Sequence, residues 1–289
     1  MTYKDLNDFL RQSGDALSKG PIALIFVEDE IEVESTIRHH VKLGFKTVLV
    51  FAPAGFALAE PPNDTIHVIP FDIHTDGATQ AAVNRVISAT PGNWVYYCYN
   101  AEYLFFPFCE HRTVGEMLTH TAEERREAVL CYVVDLYAGD LRENPSAVSL
   151  DDAFLDNRGY YALARKNPEQ NYEPKERQLD FFGGLRWRFE EHVPYERRKI
   201  DRIALFKAKP GLKLLENHTL TDEEMNTYSC PWHHNMTAAI CSFRTAKALK
   251  SNPGSRFEID TFRWRNSTQF DWNSQQLLDL GLIEPGQWF

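Results

Sequence analysis

Short apolar runs alternate, along the first half of the chain, with stretches whose apolar residues recur every three or four positions. Residues 22–27, 47–51 and 66–71 are runs of the first kind and predict buried strands. Between the first two, Val33, Ile37 and Val41 repeat every four residues until Gly44, which predicts a helix with those three side chains facing inward. A strand, a helix and a strand within about 30 residues make a βαβ unit, hence a parallel sheet with a right-handed crossover. Pro70 places the third strand near an edge. Residues 78–89 predict a helix with Val83, Val86 and Ile87 inward. The run from Trp94 to Phe108 is interrupted only by Asn100 and Glu102, and predicts a buried strand followed by a short extended turn. Thr113-Val-Gly-Glu116 has capping-box form and opens another helix, and residues 128–134 predict a strand ending at Asp135.

The second half is less regular. From Asp135 to about residue 180 few segments are periodic, which predicts long loops over a cleft. Residues 203–206 predict a late strand, and Ile240, Phe243, Ala246 and Leu249 a helix over 237–249. There is no internal repeat and no low-complexity linker. The expected organisation is a helical extension over 1–20, where Leu6, Phe9 and Leu10 share a face, one α/β domain over 21–249, and an aromatic tail over 250–289 packed on it.

Composition narrows the function classes. A hydrophobic share of 43% against 25% charged residues supports a substantial core. A net charge of −10 argues against general nucleic-acid binding, which needs a basic footprint. The charge is uneven, with five acids between Glu28 and Glu34 and a basic stretch between Arg186 and Arg202. Five cysteines without CxxC spacing predict free thiols in a reduced, cytoplasmic setting. No stretch reaches the roughly 18 apolar residues of a membrane span.

Several residues invite a chemical reading. Glu102 either faces a cleft at the open end of its strand or is paired inside. Ligands of open α/β sheets bind outside the carboxyl ends of strands, which favours the cleft. Asp29 and Glu30 can hold a ribose or simply favour a helix start. His40 shares a face with Val33 and Ile37 and is expected in the core, with His39 at the surface. Arg186, Arg188 and Arg202 match phosphate oxygens in pairs, or else pair with Glu190, Glu191 and Glu196. Cys230-Pro-Trp-His233-His234-Asn235 offers two histidines that, in a loop, reach one metal together with Glu102 or Asp222, or else form a hydrogen-bonded plug. Asp135 and Asp180 are the carboxylates placed to serve as a base. Trp187, Trp232, Trp264 and Trp272 offer stacking faces or core.

Three stretches together resemble bacterial family 2 glycosyltransferases. They are Asp29-Glu30 followed by His39-His40-Val-Lys-Leu-Gly44-Phe45; the Trp94 run into Asn100-Ala-Glu102-Tyr103, where the family has an Asp-x-Asp-Glu-Phe pattern; and Gly183-Gly184-Leu-Arg186-Trp-Arg188 followed by residues 200–207. The resemblance covers roughly residues 21–245 and implies a GT-A-like fold, a Rossmann-type αβα sandwich with a mostly parallel central sheet. It implies a nucleotide-sugar donor, UDP-linked first of all, bound through Glu28, Asp29, Glu30, Asn100, Glu102, Arg186, Arg188 and Arg202. It also implies Mn²⁺ or Mg²⁺ on the sugar diphosphate, with Glu102 among its ligands, and a glycan or lipid-linked acceptor in surface polysaccharide assembly. The Asp-x-Asp positions are occupied by Tyr99 and Ala101, so the motif is degenerate. The expected activity is sugar transfer. The alternatives are a catalytically inactive relative that binds or scaffolds, and a metal-dependent hydrolase around His233 and His234.

Overall fold

A computed structural model describes residues 3–59 and 64–288. In chain order its strands are β1 (Ile22–Phe26), β2 (Thr47–Ala52), β3 (Ile66–Pro70), β4 (Trp94–Tyr99), β5 (Glu102–Phe105) and β6 (Ala128–Ala138). They continue with β7 (Ala153–Asp156), β8 (Tyr161–Asn167), β9 (Glu173–Phe182), β10 (Asp201–Lys207), β11 (Ala238–Ser242) and β12 (Ser267–Gln269). The helices are α1 (Leu6–Ser13), α2 (Val33–Lys42), α3 (Ala78–Ala89), α4 (Val114–Glu123), α5 (Gly184–Arg188), α6 (Arg244–Ser251) and α7 (Ser274–Asp279). The protein is α/β and forms two compact units, residues 3–101 with 111–129 and 203–226, and residues 102–110 with 130–202 and 227–288.

In the first unit the strand order is β10-β4-β1-β2-β3. β1 pairs in parallel with both β2 and β4, β2 pairs in parallel with β3, and β10 runs antiparallel to β4. Every residue of β1 and β2 is buried, which is why both are continuous apolar runs rather than alternating ones. The chain steps outward from β1 to β3 and then returns through α3 to the other flank of β1. The order therefore reverses between β1 and β4. β3 is the edge that Pro70 predicts.

α2 buries Val33, Thr36, Ile37 and His40, whereas Val41 is exposed, contrary to the four-residue repeat. Its place on the inward face is taken by Thr36 and His40. His40 is a core histidine, with Nδ1 2.7 Å from the Thr36 carbonyl oxygen and its ring stacked on Tyr96. The Thr113–Glu116 capping box forms at the start of α4.

In the second unit β11 lies between β5, antiparallel, and β6, parallel, while β6, β7 and β12 follow in antiparallel pairs. β8 and β9 make a separate antiparallel hairpin. Two expectations fail here. The stretch 135–180 is not loop. β6 runs on through Asp135 to Ala138, and β7, β8 and β9 follow. The hairpin is largely solvated, so neither an apolar run nor strict alternation marks it. Residues 237–249 are not one helix but β11, a turn at Phe243, and α6. Ala238–Ser242 is a five-residue buried strand, too short to be told from a helical turn by spacing. A core of Tyr137, Leu185, Ala246, Leu249, Ile259 and Phe262 holds α5 and α6 against β6.

Candidate functional site

The reversal between β1 and β4 is where open α/β sheets place their ligands. Here it is laced by one side chain. Asn100 follows β4 and is fully buried, and its backbone N–H donates to the Phe26 carbonyl at 3.0 Å. Its Oδ1 accepts from the Glu28 backbone N–H at 2.8 Å, and its Nδ2 donates to Asp29 Oδ1 and to the Ile31 carbonyl, both at 2.8 Å. Asp29 Oδ1 also accepts from the Ile31 N–H at 2.9 Å. The sequence-predicted residues Glu28, Asp29 and Asn100 are thus brought together. Asn100 serves as the pin and Glu28 to Glu32 as the pinned loop, with Glu30 on its exposed side.

Two non-glycine residues here take left-handed backbone angles, Glu32 at φ 55° and Ala101 at φ 58°. Thr36 joins them, its hydroxyl donating to the Glu32 carbonyl at 2.6 Å and accepting from the Ala101 N–H at 2.8 Å. Strained backbone of this kind survives only where its surroundings fix it, and it collects at functional sites.

The second unit carries a row of polar residues in one register across three strands. Ser242 of β11 stands opposite Glu102 of β5 and beside Asp135 of β6. Both carboxylates are closed off from solvent, and they differ in what their oxygens meet. Glu102 is gripped by Arg202 through 2.8 and 3.3 Å bonds and by the Ser242 hydroxyl at 3.0 Å. Of the two readings open for it, the internal pair is the one observed, and it does not face a cleft.

Asp135 is held more loosely. The Arg186 backbone N–H lies 3.4 Å from Oδ2, Arg186 Nε lies 3.6 Å from Oδ1, and Oδ1 has no hydrogen-bond partner. Burial pushes this carboxyl above its ordinary value, opposed by Arg186 and the Thr245 hydroxyl.

The three arginines proposed for phosphate each meet an acid, and the acids are not those adjacent in sequence. Arg186 faces Asp135, Arg188 bonds Asp156 at 3.1 and 3.2 Å, and Arg202 bonds Glu102. Glu190 pairs instead with Arg198. Asp156 also accepts from the Tyr137 hydroxyl at 2.6 Å and Trp264 Nε1 at 2.7 Å, while the Arg188 guanidinium lies over the Trp264 ring. Asp180 is bonded by Arg165 at 2.7 Å and Lys199 at 3.2 Å.

The divalent cation that the resemblance implies does not fit these residues. A hard cation needs carboxylate oxygens. Tyr99 and Ala101 supply none, and those of Glu102 are engaged by Arg202 and Ser242. His233 and His234 do not join Glu102 in a site. His233 Nδ1 lies 2.8 Å from the His234 carbonyl oxygen, and His234 Nδ1 lies 3.1 Å from Glu284 Oε2, in a loop whose Trp232 is 81% exposed. Asp222 is taken by Lys209 at 2.6 Å. Among the described residues, no three His, Cys, Asp or Glu side chains are gathered as a metal would require. No helix among them is long and apolar enough to cross a membrane.

Sequence reasoning missed Ser242, Thr245, Asp156 and Tyr160, all of which touch this machinery. Ser242 and Thr245 were hidden inside the supposed helix over 237–249, and Asp156 and Tyr160 inside the supposed loops. The Gly183-Gly184 pair was the one available signal. A Cβ on Gly183 would lie 2.2 Å from the Tyr160 ring and one on Gly184 2.8 Å from Asp135 Oδ2, so both glycines mark close approaches. No protein-family model and no curated protein sequence matches this chain.

Proposed function

We propose that the protein is a glycosyltransferase of the GT-A kind. It moves a sugar from a nucleoside-diphosphate donor to a hydroxyl of a glycan or lipid-linked acceptor, in surface polysaccharide assembly. The observation that carries the reading is the β1/β4 reversal point, lined by an acid-bearing loop that Asn100 pins to the end of β4. Carboxylates on a rigid loop at that point suit the hydroxyls of a ribose, and Glu28 and Glu30 are the residues assigned to it.

A second reading has its own support. The absence of carboxylates at Tyr99 and Ala101, with Glu102 closed onto Arg202, suits a relative that binds the donor without turning it over. A panel of UDP-, GDP- and dTDP-sugars tests both, by thermal shift with and without Mn²⁺ and by release of nucleoside diphosphate when acceptor is added. Stabilisation with release supports the transferase, and stabilisation without release the binding module. A chain stabilised by no nucleotide sugar refutes both.

A further inference from the structure

The β8–β9 hairpin of the second unit has two outer edges, and they differ in what covers them. Along β9 the chain returns to close the edge. Phe182 bridges to Lys199, the Ile200 N–H donates to the Phe181 carbonyl at 2.9 Å, and the Tyr228 N–H donates to the Arg177 carbonyl at 3.1 Å. β8 has no such cover. In an antiparallel pair, alternate residues turn their N–H and C=O groups away from the paired strand. Among the described residues, no other segment bonds to those of residues 161–164.

An open edge is a template for a further strand, and folded proteins guard against it with prolines, charges or shortness. β3 carries Pro70, and β12 has three residues. Residues 161–164 carry no guard. They read Tyr-Ala-Leu-Ala, and all four are exposed, with Tyr161 at 45% and Leu163 at 56% on one face. The bulge between Ala164 and Lys166 comes only after them. The edge is also held in place. Tyr161 stacks on Phe182 with ring centroids 5.2 Å apart, and Arg165 is bonded to Asp180 and Asp201, each at 2.7 Å. A strand fixed in this way accepts another with little further ordering cost.

Charge decides what the added strand is. Arg158 and Lys166 bracket the apolar stretch with no acid between them, although the chain carries a net charge of −10. Both are exposed, and among the described residues neither is in an ion pair. Two copies pairing antiparallel through β8 would bring each Arg158 toward the partner's Lys166, and like charges across a ladder repel. An extended segment with acids at its ends and apolar residues at alternate positions between them suits both the apolar face and the two cations.

We propose that β8 is a docking edge for an acidic extended peptide of a partner protein, which joins the hairpin as a third strand. Main-chain bonds to residues 161–164 hold it, Tyr161 and Leu163 receive its alternate apolar side chains, and Arg158 and Lys166 receive its acids. The edge takes no part in sugar transfer, so it stands whether or not the chain is a transferase.

The probe is a fluorescently labelled peptide, Asp-Ser-Val-Thr-Val-Thr-Val-Ser-Asp, whose acids are spaced like Arg158 and Lys166. Its counterpart carries Lys at both ends. In anisotropy titrations with the full chain at about 20 mM salt, the acid-ended probe should bind about tenfold or more tighter than the Lys-ended one, and the difference should shrink at about 200 mM. The R158E/K166E variant, altered only at exposed positions, should reverse the preference. Hydrogen exchange read by mass spectrometry should slow within residues 161–164 when the acid-ended probe binds. Failure of that probe to bind, equal binding of the two probes, or protection elsewhere but not in β8 overturns the proposal. So does a chain that dimerises in sedimentation with β8 protected, because the edge then belongs to a second copy.

Discussion

Removing Arg202 would leave Glu102 in the interior without its bidentate partner, and a lost charge partner at such depth costs about 3–5 kcal/mol. Arg202→Met is therefore expected to lower the unfolding free energy by that much in urea titrations, with the Glu102→Leu/Arg202→Met double variant regaining most of it. A loss below about 1 kcal/mol, the range of exposed pairs, would mean that Glu102 is free to do something else. Asp135 behaves differently with pH. Burial raises its pKa in the folded chain, so the folded chain keeps the proton to a higher pH than the unfolded one. Stability is undiminished below the unfolded value. It falls as pH climbs from there to the raised folded value, by about 1.4 kcal/mol per unit, and stays lower above it. Asp135→Asn deletes this contribution, so its stability relative to wild type should rise with pH across that window in unfolding curves taken at a series of pH values. A difference that is flat with pH would show that the carboxyl titrates alike in both states.

At the scale of elements, the turn from β9 into α5 is the most exacting piece of the second unit. Gly184→Ala must place a methyl group at a left-handed φ and 2.8 Å from Asp135 Oδ2. A loss of about 1–3 kcal/mol or more follows from the strain alone, to be read by thermal and urea unfolding. Gly14→Ala is the internal control, because nothing lies within 4 Å of its added Cβ and its φ is −55°. It should be neutral or slightly stabilising, and equal losses in the two variants would refute the close-approach argument. The same turn explains how far the elements could be read beforehand. β1, α2, β2, α3 and β4 announce themselves because each buries a face or a whole strand, and burial is what periodicity records. The β8–β9 hairpin buries little, and β11 and α6 share one run of apolar spacing across the turn at Phe243, so neither leaves a distinct pattern. The candidate site divides along the same line. Asn100 and the acids after β1 stand out as polar residues at the ends of apolar strands. The partners of Glu102, Asp135 and Arg188 lie far along the chain, and side-chain pairing over such separations leaves no periodic trace.

For the molecule as a whole, the distribution of charge bears on how a donor arrives. The net charge is −10, and the loop at the β1/β4 reversal is acidic. The three arginines put forward for the phosphates are each matched by a carboxylate, Arg186 by Asp135, Arg188 by Asp156 and Arg202 by Glu102. Each such pair is neutral seen from a distance, so it attracts an approaching diphosphate weakly, while the unbalanced acids repel it. Repulsion between solvent-exposed charges is screened over about 10 Å at 0.1 M salt. Association of a UDP-sugar, measured by stopped flow without divalent cations, should therefore speed up by a factor of about two to five as salt rises from about 20 to about 200 mM, the reverse of the usual steering of an anion to a basic site. Had the three arginines been open to the phosphates, salt would slow association instead. A rate that falls with salt would thus show that at least one of these pairs opens when the donor binds.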